Sequence, residues 1–151
     1  MTLNRGKKSV CIDLKSDAGR EIFYEMVKKS DVVLSNFSAG VPERLKIDFE
    51  HLSKVNPKIV TCSVTGFGET GPAKKRPAFD MVAQATGGGM SITGDPSTGP
   101  FRAGIPTGDL GGGPFGAIGL LGDPQARDRT AKGPHVGTSM HGAAVSMPCL
   151  R

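Results

Sequence analysis

The sequence predicts an α/β domain in which helices flank a Rossmann-like parallel β-sheet. In the first half, short apolar runs rich in β-branched residues alternate with amphipathic segments, in the order β-α-β-α-β. Each connection between two strands contains a helix, as right-handed crossovers between parallel strands require. The length of 151 residues suits one domain.

The first three elements show this alternation. Residues 9–14 (SVCIDL) have the apolar, β-branched character of a short strand. Residues 15–30 predict a helix, since their apolar side chains fall on one helical face and Ser16 stands where it can cap the first turn. Residues 31–37 (DVVLSNF) are apolar at successive positions, which is typical of a strand covered on both faces.

The next elements complete the predicted β-α-β-α-β unit. Residues 41–57 contain a helical turn and then a helix, and residues 58–68 predict a third strand that runs into glycines. A polar loop extends from there to residue 77, and residues 78–88 predict a short helix that ends at glycines.

The remaining elements are separated by turn-forming residues. Residues 94–106 predict a loop, and an apolar helix is expected to begin near Asp109. Residues 133–140 predict a strand, and residues 141–150 predict the start of a final helix.

Composition narrows the possible partners. The net charge of +5 comes from short basic runs without interleaved aromatic residues, so we expect no nucleic-acid partner. No apolar stretch of 18 residues is free of charge, so we expect no membrane partner. The three histidines have no metal-binding spacing, and we expect no metal.

The cysteines indicate a cellular compartment. Their number is odd, none forms a CxxC pair, and no apolar leader follows the first charged residues, so we expect a reducing, cytoplasmic location. Cys11 and Cys62 lie inside apolar runs and are predicted to be small core residues.

One short motif imitates a cofactor fingerprint. GFGETG at residues 66–71 satisfies the dinucleotide-binding spacing and follows a predicted strand. That fingerprint also requires a helix that opens directly on its glycines, whereas Pro72 and a basic run follow here. We therefore expect these glycines to shape a loop that contacts some other ligand.

Asp109 is the candidate reactive group, because it is the only acidic residue between Asp95 and Asp123. One interpretation is structural, since Asp is a good helix N-cap. The other is chemical: a helix N-terminus holds a carboxylate ionised, and such a carboxylate attacks activated acyl groups. Three glycines in a row are costly in a helix, so we expect residues 111–113 to leave room for a bulky thioester.

Five segments, in order, carry a resemblance to a known family: LNRGKKSVCIDLKSDAGREIF, DVVLSNFSAGVPERL, NPKIVTCSVTGFGETGP, FDMVAQATGG and GIPTGDLGGG. They resemble the successive signatures of the family III CoA-transferases, the group of formyl-CoA transferase and carnitine CoA-transferase. The resemblance covers nearly the whole chain and is more specific than any single motif.

The resemblance implies a fold and an assembly. Residues 1–151 correspond to part of the large, CoA-binding and catalytic domain, and we expect the family's first strand and its later small domain to be absent. Family members form homodimers whose two subunits are interlocked like rings.

The resemblance also implies a site. Asp109 takes the position of the family's catalytic aspartate, which attacks an acyl-CoA to form a mixed anhydride before CoA passes to a small carboxylic acid. The positions that match CoA-contacting residues of the family are Leu3, Lys7, Asn36, Phe37 and Arg44.

The sequence departs from the family near the end of the Asp109 helix. Gly122, Asp123 and Pro124 interrupt a helix that continues in the family, and Gly137 and Gly142 stand where the family has acidic residues. Packing and partner contacts of this region are therefore expected to differ.

Two alternatives to a transferase remain. An α-methylacyl-CoA racemase removes a proton beside the thioester and needs a histidine before the residue that corresponds to Asp80, where this chain has Phe79. The second alternative is a truncated fragment that binds CoA without catalysing a reaction.

Overall fold

The computed structural model describes residues 3–122 and 132–148. The elements, in chain order, are α1 (Asp17–Lys28), β1 (Val32–Ser35), α2 (Val41–Leu45), α3 (Phe49–Val55), β2 (Val60–Thr65), α4 (Asp80–Thr86), a 3-10 turn (Gly89–Ile92), α5 (Thr107–Gly122), β3 (His135–Ser139) and α6 (Met140–Ser146). None of the helices in these residues is long and apolar enough to cross a bilayer.

The three strands form one parallel sheet with β2 in the centre. Val32 of β1 pairs with Val60 of β2, and Thr61 of β2 pairs with His135 of β3. The order β1-β2-β3 follows the chain, with helices in each connection. The prediction of an α/β fold with a parallel sheet is confirmed.

A small apolar core fixes α1 and α3 beside the sheet. Val27, Leu52 and Ile59 are almost completely buried and contact one another. The Asn56 side chain, at the end of α3, donates to the carbonyl oxygens of Val27 and Ser30, each at 3.1 Å. These hydrogen bonds tie the C-terminal ends of α1 and α3 together.

Helix α5 lies very close to β2 and β3, because glycines form its contact face. Three glycines of α5 lie so near the sheet that an added β-carbon would stand within 3.2 Å of a side chain of β2 or β3. The glycines are Gly112, Gly116 and Gly119, which face Val64, Cys62 and Val136 respectively. A bulkier residue would push the helix away from the sheet.

The predicted strand at residues 9–14 does not form. The segment has no ladder pairing, and Val10 is 61% exposed. A strand needs a neighbour to satisfy its backbone groups, and the described sheet consists of β1, β2 and β3 alone. Cys11 is consequently exposed, so its prediction as a core residue is wrong, whereas Cys62 is buried as expected.

The predicted covering of both faces of β1 is also wrong. β1 is an edge strand within the described sheet, and Leu34 is 61% exposed. Its apolar sequence fits a buried strand, but no described element packs over that face.

Candidate active site

A cavity of about 380 Å³ opens at the carboxyl edge of β1 and β2, beside the first turn of α5. Segments that are distant in the chain meet there because parallel strands bring their carboxyl ends to one edge. The polar and aromatic side chains that line it are Asn36, Phe37, Ser38, Thr65, Lys74, Lys75, Arg76, Phe79, Asp80 and Asp109.

Asp109 does not cap α5; Asp80 does. The Asp80 Oδ1 atom accepts hydrogen bonds from the backbone N–H of Gly108 at 2.8 Å and of Asp109 at 3.4 Å. Asp109 is the third residue of the helix and lines the cavity. The interpretation of Asp109 as the helix N-cap is therefore wrong, because the Asp80 carboxylate caps the helix.

Gln84 fixes Asp80 in place. Its amide nitrogen donates to Asp80 Oδ2 at 2.6 Å and to the Ile105 carbonyl at 3.2 Å. Its amide oxygen accepts from the Ala103 backbone N–H at 2.8 Å, and the residue is 2% exposed. This satisfied buried amide joins α4 to the segment before α5 and orients the first turn that carries Asp109.

The surroundings of Asp109 disfavour its charge. Partial burial, and then the negative charge of Asp80, raise the pKa of the Asp109 carboxyl above its ordinary value. This direction is opposite to the shift that the helix N-terminus alone would give. A raised pKa makes the ionised carboxylate more basic and more nucleophilic.

The glycines after Asp109 serve packing more than access. A β-carbon on Gly111 would stand 2.8 Å from Ala143 of α6, and one on Gly112 would stand 3.0 Å from Val64 of β2. A β-carbon on Gly113 meets nothing within 4 Å. The predicted room for a thioester is therefore wrong for Gly111 and Gly112, which fit α5 against its neighbours.

The glycines of residues 66–71 shape a loop, as predicted. Gly66 allows Ala78 to approach so closely that a β-carbon would stand 2.6 Å from it, which closes the base of the loop. Gly68 and Gly71 have positive φ angles, a conformation that favours glycine. No helix begins between Gly66 and Asp80, so the dinucleotide fingerprint is absent from this region.

The closed loop carries a basic run to the cavity. Lys74, Lys75 and Arg76 all line it. The Arg76 guanidinium lies 5.3 Å from the centroid of the Phe67 ring, which in turn contacts His141 at 5.3 Å between ring centroids. These contacts hold one cation of the run against the body of the domain.

Three of the predicted site residues meet at this cavity: Asn36, Phe37 and Asp109. Leu3 and Lys7 lie in the exposed segment before α1, and Arg44 is exposed on α2. These last three residues do not line the cavity in the part of the chain that the structure describes.

Sequence reasoning missed Asp80 and the basic run of residues 74–76 as parts of the site. The run follows a predicted strand of a parallel sheet, and that position is itself a signal for a ligand-binding loop. Asp80 gave no comparable signal, because the backbone groups it caps are 28 residues further along the chain.

Phe79 occupies the cavity where the racemase alternative needs a base. Its side chain is 80% exposed and lines the cavity. No histidine is among the described residues that line it, so no imidazole faces Asp109 across this space. Within residues 3–122 and 132–148, no group of three His, Cys, Asp or Glu side chains is placed to hold a metal ion.

The fold and the cavity define an α/β protein with a carboxylate-lined cavity at the carboxyl edge of a parallel sheet. The chain belongs to CoA-transferase family III, whose sequence profile matches residues 1–149.

Similar proteins agree with that assignment. The chain is 45% identical over 139 residues to an acetyl-CoA:oxalate CoA-transferase of Acetobacter aceti, covering 91% of this chain and 36% of that protein. It is 39% identical over 150 residues to a succinyl-CoA:mesaconate CoA-transferase of Haloarcula hispanica, covering 97% of this chain and 38% of that protein.

A solved structure shows the same fold. A CAIB/BAIF family protein from Brucella suis superposes with a TM-score of 0.89 at 34% identity, covering 94% of this chain and 38% of that protein. The chain thus spans slightly more than a third of the length of these relatives.

Proposed function

We propose that the protein transfers coenzyme A between an acyl-CoA and a carboxylic acid, with Asp109 as the nucleophile. The observation that supports this proposal best is the position of Asp109. It lines a cavity at a helix N-terminus, and Asp80 caps that helix in its place. The family membership supports the same reaction.

The proposed reaction exchanges bonds in four steps. An Asp109 oxygen attacks the thioester carbonyl, the C–S bond breaks, and CoA leaves as thiolate from a mixed anhydride. The thiolate then attacks the aspartyl carbonyl, which releases the donor acid and forms an aspartyl-CoA thioester. The acceptor carboxylate displaces CoA to form a second anhydride, and CoA finally attacks the new acyl group and frees Asp109.

The basic loop supports an anionic substrate. Lys74, Lys75 and Arg76 place positive charge on the wall of the Asp109 cavity, where phosphate or carboxylate groups would be attracted. Asn36 and Phe37 add an amide and an aromatic ring on the β1 side. We propose that these five residues contact acyl-CoA, and that Leu3, Lys7 and Arg44 contact it further from the reacting carbon.

Proton abstraction is less well supported than acyl transfer. A racemase needs a base on each face of the α-carbon, and Phe79 takes the place of one of them. A carboxylate that attacks a carbonyl needs no second base, so one nucleophile in the cavity is sufficient.

We further propose that the protein works as a homodimer in the cytoplasm. Apolar side chains on the outer face of α5 support a subunit contact, since Leu110, Phe115, Ile118 and Leu121 are all exposed in the single chain. Light scattering of the intact gene product would give its mass, and a monomer would contradict the homodimer.

The test of the proposed chemistry is Asp109→Asn in the intact gene product. The acetyl-CoA and oxalate pair and the succinyl-CoA and mesaconate pair are the first substrates to offer, and the rate of CoA transfer is measured. We expect a loss on the order of a thousandfold or more, because the amide keeps the shape but is no nucleophile. Free CoA should bind the variant as tightly as the wild type in calorimetry.

Glu21→Gln is the matched control, because it removes an exposed carboxylate on α1 outside the cavity. It should leave the transfer rate unchanged. Retained transfer by Asp109→Asn, with wild-type activity towards either pair, would contradict the assignment of the nucleophile.

A further inference from the structure

A second polar cluster lies on the sheet away from Asp109. The two carboxylate oxygens of Glu69 have different partners: Oε1 accepts from the Ser63 hydroxyl at 2.8 Å, and Oε2 lies 2.6 Å from His135 Nε2. With Nε2 donating to Glu69, His135 Nδ1 accepts from the Thr61 hydroxyl at 2.7 Å. The cluster joins the loop after β2 to both β2 and β3.

The order Thr61, His135, Glu69 resembles a nucleophile, a base and the carboxylate that orients the base, but the backbone N–H of Thr61 is not free to stabilise an oxyanion. The backbone N–H of Thr61 donates to the Pro134 carbonyl at 3.1 Å. Thr61 lies within the central strand, whose backbone is paired on both sides. Without free donors beside the hydroxyl, the cluster is a structural clamp and no acyl-transfer site.

The clamp acts on the loop that carries the cations of the cavity. Glu69 lies in the first part of the loop, which closes where Gly66 meets Ala78. Glu69 also lines a neighbouring cavity of about 310 Å³ together with Lys74 and Lys75, and these two lysines line the Asp109 cavity as well. Glu69 and both lysines therefore belong to one loop that borders the two cavities.

Gly137 of β3 leaves space in the sheet for the contact between Glu69 and His135. Gly137 of β3 pairs with Ser63 of β2, and a β-carbon on Gly137 would stand 3.0 Å from Glu69 Oε2. A larger residue there would displace the carboxylate from His135. The side chains of Glu69 and His135 are 42% and 31% exposed, so the contact is modest in energy and reversible.

We propose that Glu69 is a positioning residue, which through His135 and Ser63 holds the loop of residues 66–78 so that its lysines face an anionic substrate at Asp109. The anionic substrate in this inference rests on the proposed function. The clamp itself is inferred only from the hydrogen bonds that join Glu69, Ser63, His135 and Thr61.

The test compares Glu69→Ala, Glu69→Gln and the control Glu50→Ala in the intact gene product. Glu50 lines the cavity of about 470 Å³ beside His135, which Glu69 also lines, but it belongs to α3 rather than to the loop. Hydrogen exchange of peptides that cover residues 66–78 measures the clamp, and KM for acyl-CoA and kcat measure its consequence.

Glu69→Ala loses the contacts with both Ser63 and His135, so we expect faster exchange in the loop and a KM raised about fivefold, with kcat nearly unchanged. Glu69→Gln should recover most of both effects, because its amide oxygen can accept from His135 Nε2 while its amide nitrogen donates to the Ser63 hydroxyl oxygen. Glu50→Ala should resemble the wild type.

Unchanged loop exchange in Glu69→Ala would overturn the proposal. Faster exchange with an unchanged KM would also overturn it, as would a fall in kcat as large as the rise in KM. The exchange measurement needs no turnover. It therefore still decides whether the clamp exists if Asp109→Asn shows the proposed chemistry to be wrong.

Discussion

Helices α1 and α5 begin in different ways. Ser16 caps α1 from the adjacent position, and its hydroxyl accepts from the Gly19 N–H at 3.0 Å. The first turn of α5 is capped by Asp80, which belongs to another helix. A local cap leaves the first-turn acid Asp17 on the surface with Arg20, whereas the distant cap leaves Asp109 free at a cavity. The comparison distinguishes a helix start with a local cap from one whose first-turn carboxylate faces a cavity.

Among the substitutions that test this contrast between helix starts, removal of the distant cap should have the largest effect. Asp80→Ala removes the acceptor of the Gly108 N–H and one of the two acceptors of the buried Gln84 amide nitrogen, so we expect a loss of about 2 kcal/mol in the free energy of unfolding. Transfer should fall on the order of tenfold, because the first turn that holds Asp109 loses its anchor. Denaturant unfolding and steady-state rates measure the two effects, and wild-type values for both would contradict the role of Asp80.

Removal of the local cap should affect stability alone. Ser16→Ala should cost about 1 kcal/mol of unfolding free energy, the usual value for an N-cap hydroxyl. Transfer by the folded variant should equal that of the wild type, since α1 does not contribute to the Asp109 cavity. If Ser16→Ala lowered kcat as much as Asp80→Ala, the contrast between the two helix starts would be lost.

Two alanine substitutions sharpen the account of the α5 glycines. In Gly119→Ala the new methyl group would stand 2.5 Å from Val136 Cγ1, and overpacking should exceed the gain in helix propensity, with a net loss on the order of 1 kcal/mol. Gly113→Ala meets open space and should instead gain up to about 1 kcal/mol. Thermal melting distinguishes them, and equal shifts would contradict the packing account.

The smallest effects concern pH. In the proposed reaction the nucleophile is the Asp109 carboxylate, whose pKa is raised, so kcat/KM should fall on acidification at a higher pH than for an ordinary Asp. A raised pKa in the folded state favours the protonated form, so stability from Asp109 is present at low pH and is lost as pH rises through that pKa. Asp109→Asn should therefore melt at the wild-type temperature or slightly above it at neutral pH, and the difference should vanish in acid. A variant that melts below the wild type only at neutral pH would contradict the sign.

Elements defined by local patterns could be predicted from the sequence. The helix capped by Ser16, the strands β2 and β3, and the helix after the Gly-Phe-Gly loop all lie where periodicity and turn residues predicted them. Residues 9–14 have the composition of a strand but no partner in the described sheet, and strand formation depends on a neighbour that composition does not reveal.

The candidate site was predictable only in part, for the same physical reason. Asp109 was visible as an isolated carboxylate before an apolar helix, and the resemblance supplied Asn36 and Phe37. The roles of Asp80, Gln84 and the Glu69 clamp depend on contacts between residues far apart in the chain. The glycines after Asp109 were visible, but whether they adjoin a ligand or another helix depends on how α5 is packed.

The central claim is that Asp109 becomes acylated, and chemical trapping tests it most directly. The intact gene product is mixed with an acyl-CoA donor and quenched with hydroxylamine, and its peptides are analysed by mass spectrometry. The account predicts a hydroxamate on Asp109 that requires the donor and is absent from Asp109→Asn. Turnover with no hydroxamate at Asp109, or with the hydroxamate at another carboxylate, would contradict it.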